Sequence, residues 1–136
     1  MRHVLMDTGP WVALIDRSEG RHSKCVEWMK GFKGDIFSSE AVLTEVLYLL
    51  SFSAAAQSAA LDFVLADAIV LVPSSVNSLR RVKDLLQKYQ DLPMDFADAT
   101  LVLLAHDLGI GQIVTFDRKH FSTYRIDKRQ SFTIMP

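Results

Sequence analysis

The sequence contains one cysteine, Cys25, among its 136 residues. A single thiol excludes an intramolecular disulfide, and no group of cysteines and histidines has the spacing of a zinc site. A chain of this length buries enough apolar surface to fold without either device. These absences exclude the disulfide-rich and zinc-finger classes, and we expect one ordinary domain that spans residues 1–136.

Long apolar runs are also missing from the sequence. No stretch approaches the roughly 18 residues that a membrane-spanning helix needs. The apolar run that follows His3 reaches Asp7 after only three residues, which is too short for the hydrophobic part of a signal peptide. We therefore expect a soluble, cytoplasmic protein with no membrane association.

An excess of positive charge is absent as well, because 15 basic residues stand against 16 acidic residues and the net charge is −1. Overall charge thus gives no indication of a nucleic-acid-binding protein, whose domains often have an isoelectric point above about 9. Between Asp117 and Gln130, however, five basic residues accompany two acidic ones. A short basic run is usually only a solvated surface, so it is weak support for any function.

What the sequence does contain is an alternation of short apolar segments and helical patterns. Four short segments are mainly apolar without polar alternation, as is typical of buried parallel strands: 3–7, 36–38, 69–72 and 113–116. A fifth candidate strand is 132–135. Apolar residues recur with helical spacing in 25–32, 42–50, 53–65, 79–86 and 96–108. This order predicts an α/β fold with a central parallel β-sheet of about five strands between helices. In such sheets, ligands bind at the carboxyl ends of the strands.

Two aspartates follow predicted strands. Asp7 comes directly after the first strand and Asp117 directly after the fourth. Because a carboxylate is costly inside a core, both should emerge at the carboxyl edge of the sheet. Thr115 is placed to orient a water or a neighbouring carboxylate. Taken singly, each aspartate has a simpler interpretation as a turn or capping residue, and Thr115 as a partner of the loop backbone.

Three further acidic residues lie in apolar helical segments. Glu45 is about one turn into the helix after the second strand, in a segment that is apolar almost all round, and a buried carboxylate needs a partner, a proton or a metal. Asp95 and Asp98 are three residues apart at the start of the last long helix, hence on one face. The alternatives are a partly exposed Glu45 at a helix boundary, and helix capping by the two aspartates.

All five acidic residues map to the same edge of the predicted sheet. Crowded carboxylates repel each other and take up protons unless a divalent cation screens them. Oxygen-only ligands suit Mg²⁺ or Mn²⁺ rather than zinc, and such ions promote phosphodiester hydrolysis. The basic run that begins at Arg118 is predicted beside this edge, where phosphates would arrive.

Four segments of the chain resemble the motifs of the PIN domain family, especially the toxin ribonucleases of VapBC toxin–antitoxin systems. Each segment alone is a weak motif, but their order and spacing together are specific, and the resemblance covers nearly the whole chain. The segments are Val4–Trp11, Thr44–Val46, Leu92–Leu101 and Val114–Phe121.

The resemblance implies roles for individual residues. Asp7, Glu45 and Asp98 match the metal-binding core of the family, and Asp117 matches a further acid near the end of the fourth strand. Asp95 matches an additional aspartate found in one branch of the family. The resemblance also implies that Thr8 helps to place the first acid. The PIN fold, a parallel sheet between helices, agrees with the fold predicted from the apolar pattern.

The implied activity is hydrolysis of RNA by an endoribonuclease that depends on Mg²⁺ or Mn²⁺, with Arg118, Lys119 and His120 as candidate contacts to RNA phosphates. The implied partners are an RNA substrate, a small antitoxin and a second copy of the chain in a homodimer. One alternative is a catalytically weak PIN scaffold that binds RNA or a protein. Another is a haloacid-dehalogenase-like phosphatase, which is disfavoured because Gly9 occupies the position of its second acid.

Overall fold

A five-stranded parallel sheet forms the centre of the protein. The computed structural model describes residues 2–136, and its strands run in the order β3-β2-β1-β4-β5 with every neighbouring pair parallel. The strands are β1 (Arg2–Met6), β2 (Gly34–Ser39), β3 (Val70–Val72), β4 (Gln112–Val114) and β5 (Thr133–Met135). The five predicted strands and the parallel sheet are confirmed.

Seven helices connect and cover these strands in residues 2–136. They are α1 (Thr8–Ile15), α2 (His22–Gly31), α3 (Glu40–Leu49), α4 (Ala54–Leu65), α5 (Val76–Lys88), α6 (Phe96–Leu108) and α7 (Arg118–Phe121). The five predicted helical segments are confirmed as α2 to α6. The two further helices are α1 and α7, and α7 has only four residues, too few to show a helical period. No helix in this part of the chain is long and apolar enough to span a membrane.

The core lies between the middle of the sheet and α6. Val4, Leu5 and Met6 of β1 are completely buried, as expected for a central strand covered on both faces. Every residue from Ala97 to Ala105 of α6 is buried as well, so this helix contacts the core on all sides. The consequence is that any acid just after β1, or in the first turn of α6, lies at the border of the core.

Three helix caps lie at the carboxyl edge of the sheet, and two of these helices, α1 and α7, follow the strands β1 and β4 that run toward this edge. Asp7 caps α1, Asp95 caps α6 and Asp117 caps α7, each accepting a hydrogen bond from a backbone N–H of its helix. The far end of α6 stops at Gly109, whose φ of 66° is the left-handed conformation that glycine adopts readily. Three acidic residues are thus fixed at one edge by helix capping.

Candidate active site at the carboxyl edge of the sheet

The five acidic side chains singled out in the sequence line one cleft of about 290 Å³. Thr8, Pro93 and His120 complete its wall. Among the described residues, no lysine or arginine lines this cleft. The cleft is therefore a concentration of negative charge with no cationic side chain from residues 2–136 to balance it.

Asp7 is held at the centre of the edge by two hydrogen bonds. The Thr8 backbone N–H donates to Oδ1 at 2.8 Å and the Thr115 hydroxyl donates to Oδ2 at 2.7 Å. The predicted contact of Thr115 with a neighbouring carboxylate is confirmed. Burial nevertheless raises the pKa of Asp7 to about 6, because desolvation of the charge outweighs the two donors.

Asp98 is the most strongly perturbed acid of the cleft. Burial, followed by repulsion from Asp95 and Asp7, raises the pKa of Asp98 to about 8. The hydroxyl of Tyr124 donates to its Oδ2 at 2.9 Å, and the Tyr124 side chain is completely buried. This hydrogen bond fixes the carboxylate and leaves Oδ1 without a donor from residues 2–136.

Tyr124 was missed in the sequence because it lies 26 residues from Asp98, inside a segment noted only for its basic residues. Phe121 and Tyr124 are three residues apart and both fully buried, so the spacing of two aromatics was the available indication of a buried face. Their rings contact edge to face, with centroids 5.2 Å apart. This packing holds the tyrosine hydroxyl toward the cleft.

Glu45 reaches the cleft from a helix that is less buried than its sequence suggests. The helix has an exposed side, because Tyr48 is 76% exposed and Leu49 is exposed beside it, and this agrees with the alternative of a partly exposed Glu45. Glu45 itself is half-buried, and burial raises its pKa. The Thr8 hydroxyl donates to its Oε1 at 3.0 Å. Through its side chain Thr8 thus orients Glu45, while only its backbone N–H contacts Asp7.

Asp95 lies at the rim of the cleft. Its side chain is exposed and accepts the Asp98 backbone N–H at 2.7 Å as the cap of α6, which is the alternative role that the sequence offered for it. Asp117 also lies at the rim and accepts a hydrogen bond from the ring of His120 at 2.9 Å. Like Asp7, these two acids therefore combine a capping contact with a place in the cleft wall.

The three predicted phosphate contacts separate in the structure. His120 lines the acidic cleft, whereas Arg118 extends to the other side of β4 and donates to the Pro136 carbonyl at 3.2 Å. Lys119 is exposed and lines neither the acidic cleft nor the small pocket beside Arg118. The basic run is therefore not one continuous surface beside the carboxylates.

The donor set of the cleft suits a hard divalent cation. Oδ1 of Asp98, Oε2 of Glu45 and Oδ2 of Asp95 accept no hydrogen bond from residues 2–136. Oxygen ligands of this kind are those preferred by Mg²⁺ and Mn²⁺. Among the described residues, no three Asp, Glu, His or Cys side chains are close enough to form a preformed metal site. Repulsion between like charges keeps the carboxylates apart around an open cleft. A bound cation would have to draw them together.

Comparison with known proteins identifies relatives of this chain. The PIN domain family matches residues 4–126, a range that includes all five acids. Ribonuclease VapC26 of Mycobacterium tuberculosis is 28% identical over 135 residues, which cover 98% of this chain and 100% of that protein.

Two solved structures share the fold. VapC20 of Mycobacterium tuberculosis, described as a toxin that cleaves the sarcin–ricin loop, superposes with a TM-score of 0.80 at 20% identity over 91% of this chain and 98% of its own. VapBC2 of Rickettsia felis, bound to a DNA fragment from its promoter, gives a TM-score of 0.69 at 18% identity over 98% and 99% of the two chains. With the family match over most of its length, the chain belongs to the PIN domain family.

Proposed function

We propose that this protein is an endoribonuclease that depends on Mg²⁺ or Mn²⁺ and acts as the toxin of a VapBC-type toxin–antitoxin pair. The observation that carries the proposal is the acidic cleft, in which five carboxylates meet without a lysine or arginine from the described residues. Full-length similarity to Ribonuclease VapC26 supports RNA as the substrate.

In this proposal Asp7, Glu45 and Asp98 hold the cation. When bound, a divalent cation lowers the pKa of a water and screens the phosphoryl oxygens of the scissile phosphodiester. Thr115 and Thr8 fix the carboxylates of Asp7 and Glu45 by hydrogen bonds, so that the ligands are oriented before substrate arrives.

The remaining members of the cleft wall act at its rim. Asp117 holds the ring of His120, and this pair faces the phosphate that enters the cleft. Asp95 caps α6 and also adds negative charge that favours cation binding. Arg118 and Lys119 remain proposed contacts to the RNA backbone outside the cleft.

The proposed partners are an antitoxin, an RNA and a second copy of the chain. The fold is shared with the solved structures of VapC20 and VapBC2. A group of exposed apolar side chains at the α3–α4 junction supports homodimer formation: Tyr48, Leu49 and Phe52. We expect the protein in the cytoplasm, where RNA and a co-expressed antitoxin are available.

The test is cleavage of single-stranded RNA in the presence of Mn²⁺ or Mg²⁺, with and without EDTA. We expect cleavage that EDTA abolishes and that Asp7→Asn abolishes while the fold stays intact by circular dichroism. If Asp7→Asn cleaves as the natural protein does, the proposed site is wrong. If the natural protein binds RNA but cleaves none at millimolar metal, the alternative of a catalytically weak PIN scaffold holds instead.

A further inference from the structure

Two pockets flank the acidic cleft on opposite sides along the carboxyl edge. One is lined by residues that follow β2 and β3, among them Ala41 and Ser74. The other is lined by residues that follow β4 and β5, among them Thr115 and Pro136. Because the strand order is β3-β2-β1-β4-β5 and Asp7 follows β1, the carboxylates lie between the two pockets.

The pocket on the β4–β5 side is cationic. It measures about 110 Å³, and Arg21 and Lys24 from the start of α2 meet Arg118 around it. Thr115 forms part of its wall, and the hydroxyl of that same residue donates to Asp7. Only Thr115 therefore separates this group of three positive side chains from Asp7 in the acidic cleft.

The side chain of Arg21 is oriented before any ligand binds. Its guanidinium lies 3.9 Å from the centroid of the Phe116 ring, a cation–π contact. That ring packs so closely on Gly9 that a Cβ there would lie 2.8 Å from it. Glu19 contacts Nε of Arg21 at 3.5 Å, and the two terminal nitrogens donate to no acceptor in residues 2–136. A planar guanidinium held in this way suits a phosphate.

The pocket on the β2–β3 side is apolar and larger, about 590 Å³. Glu45 and Asp95 belong to both this pocket and the acidic cleft, so the two are continuous. Phe96 and Leu79 line it and are 42% and 46% exposed. An exposed phenyl ring beside a nuclease site is the kind of surface on which an unpaired base stacks.

We propose that a single strand of RNA crosses the carboxyl edge of the sheet, with a backbone phosphate in the cationic pocket and a nucleobase stacked on Phe96 in the apolar pocket. The inference rests on the proposed ribonuclease function and places its substrate. Five strands about 4.8 Å apart span roughly 19 Å, which a few nucleotides of extended RNA cover. The scissile phosphodiester then lies between the two pockets, over Asp7.

The cationic pocket is tested with Arg21→Gln and Lys24→Gln, measured by cleavage of a short single-stranded RNA that carries a fluorophore and a quencher. We expect a higher KM and an unchanged kcat, because the contact binds substrate and transition state alike. The slope of log affinity against log salt concentration should fall by about 0.7 per lost phosphate contact. Lys30→Gln is the matched control, since it removes the same charge from an exposed position of the same helix outside the pocket.

The apolar pocket is tested with Phe96→Leu and Phe96→Tyr. Leucine keeps the apolar bulk and loses the aromatic face, whereas tyrosine keeps both. We expect KM to rise by roughly fivefold to a hundredfold in Phe96→Leu, with no change in the salt slope, and to stay near its natural value in Phe96→Tyr. If leucine is tolerated as well as tyrosine, the pocket binds no base, and an apolar protein segment is the occupant that result favours.

Failure of this inference is distinguishable from failure of the proposed function. If the natural protein cleaves the RNA in Mn²⁺ and Arg21→Gln, Lys24→Gln and Phe96→Leu all cleave with unchanged KM, the strand takes another path and the inference is overturned. If the natural protein cleaves no RNA, binding of the same labelled RNA measured by fluorescence anisotropy still distinguishes the variants. Loss of binding in the pocket variants, against retention in Lys30→Gln, supports the path without relying on cleavage.

Discussion

The two ends of α6 carry aspartates in opposite situations. Near the first turn, Asp98 is buried among other acids and its pKa is raised to about 8. Nine residues later, about 14 Å along the helix, Asp107 is exposed and accepts two hydrogen bonds of 2.9 Å from the guanidinium of Arg81. That bidentate contact lowers the pKa of Asp107.

The difference distinguishes a carboxylate that has an arginine partner from one that has none. Asp107 has its positive partner within the chain, so its charge is already compensated. Asp98 faces Asp7 and Asp95, and among the described residues no lysine or arginine lines its cleft. Such an arrangement costs stability, and the proposed divalent cation would offset that cost. Asp107 is therefore the natural control for every experiment on Asp98.

The largest expected effect is on RNA cleavage. Asp98→Asn should lose more than the 10- to 100-fold that typically follows loss of a group supporting a metal ligand, because it removes a proposed ligand itself. Asp107→Asn should cleave at the natural rate. Both are measured as kcat/KM on single-stranded RNA at saturating Mn²⁺. Equal activities of the two variants would contradict the proposed difference in role between Asp98 and Asp107.

A smaller effect is expected at the hydroxyl that orients Asp98. Tyr124→Phe should weaken Mn²⁺ binding by roughly 10- to 100-fold, measured by titration calorimetry, and cleavage should recover at high Mn²⁺. Tyr89→Phe is the control, because Tyr89 packs on the Tyr124 ring at 5.0 Å while its hydroxyl accepts the Arg125 backbone N–H rather than contacting an acid. The same loss of affinity in both variants would mean that the tyrosines act only through packing.

Mn²⁺ binding should depend on pH in a direction set by the raised pKa values. Below pH 8 Asp98 carries a proton in the absence of metal, and below about pH 6 Asp7 does too. Cation binding must displace these protons. The affinity should therefore rise by about tenfold per pH unit between pH 6 and pH 8 and level off above. Calorimetry in buffers of different ionisation enthalpy measures the released proton, and a pH-independent affinity would contradict the account.

The smallest expected effect is on stability in EDTA. The pKa of Asp98 is higher in the folded than in the unfolded protein, so its contribution to stability is present below about pH 4 and is lost as pH rises toward 8. At pH 9, Asp98→Asn should therefore raise Tm by about 2–4 °C. Asp107→Asn should lower Tm slightly, because an exposed ion pair contributes at most about 1 kcal/mol. Opposite signs in one thermal-unfolding experiment are the expected outcome.

Much of the fold could be predicted because its signals are local. Each strand contains a short apolar segment, and the caps of α6, Asp95 and Gly109, lie at the two ends of the helical pattern. Once a parallel sheet is expected, topology alone brings acids that follow β1 and β4 to one edge. That is how Asp7 and Asp117 were placed together without any knowledge of their distance.

The rest depends on contacts between distant segments, which no local pattern contains. The hydrogen bond from Tyr124 to Asp98 and that from Thr8 to Glu45 join residues 26 and 37 positions apart. The exposure of Glu45 stayed open between two alternatives, because the sequence does not show which apolar residues of α3 remain uncovered. Arg21 was missed because its pocket forms only when α2 packs beside the end of β4.

The most direct test of the central claim is diffraction from a crystal soaked in Mn²⁺ and recorded at the manganese absorption edge. The account predicts an anomalous peak in the acidic cleft, within ligand distance of carboxylate oxygens of Asp7, Glu45 and Asp98. It predicts no such peak beside Asp107. An empty acidic cleft at millimolar Mn²⁺ would contradict it.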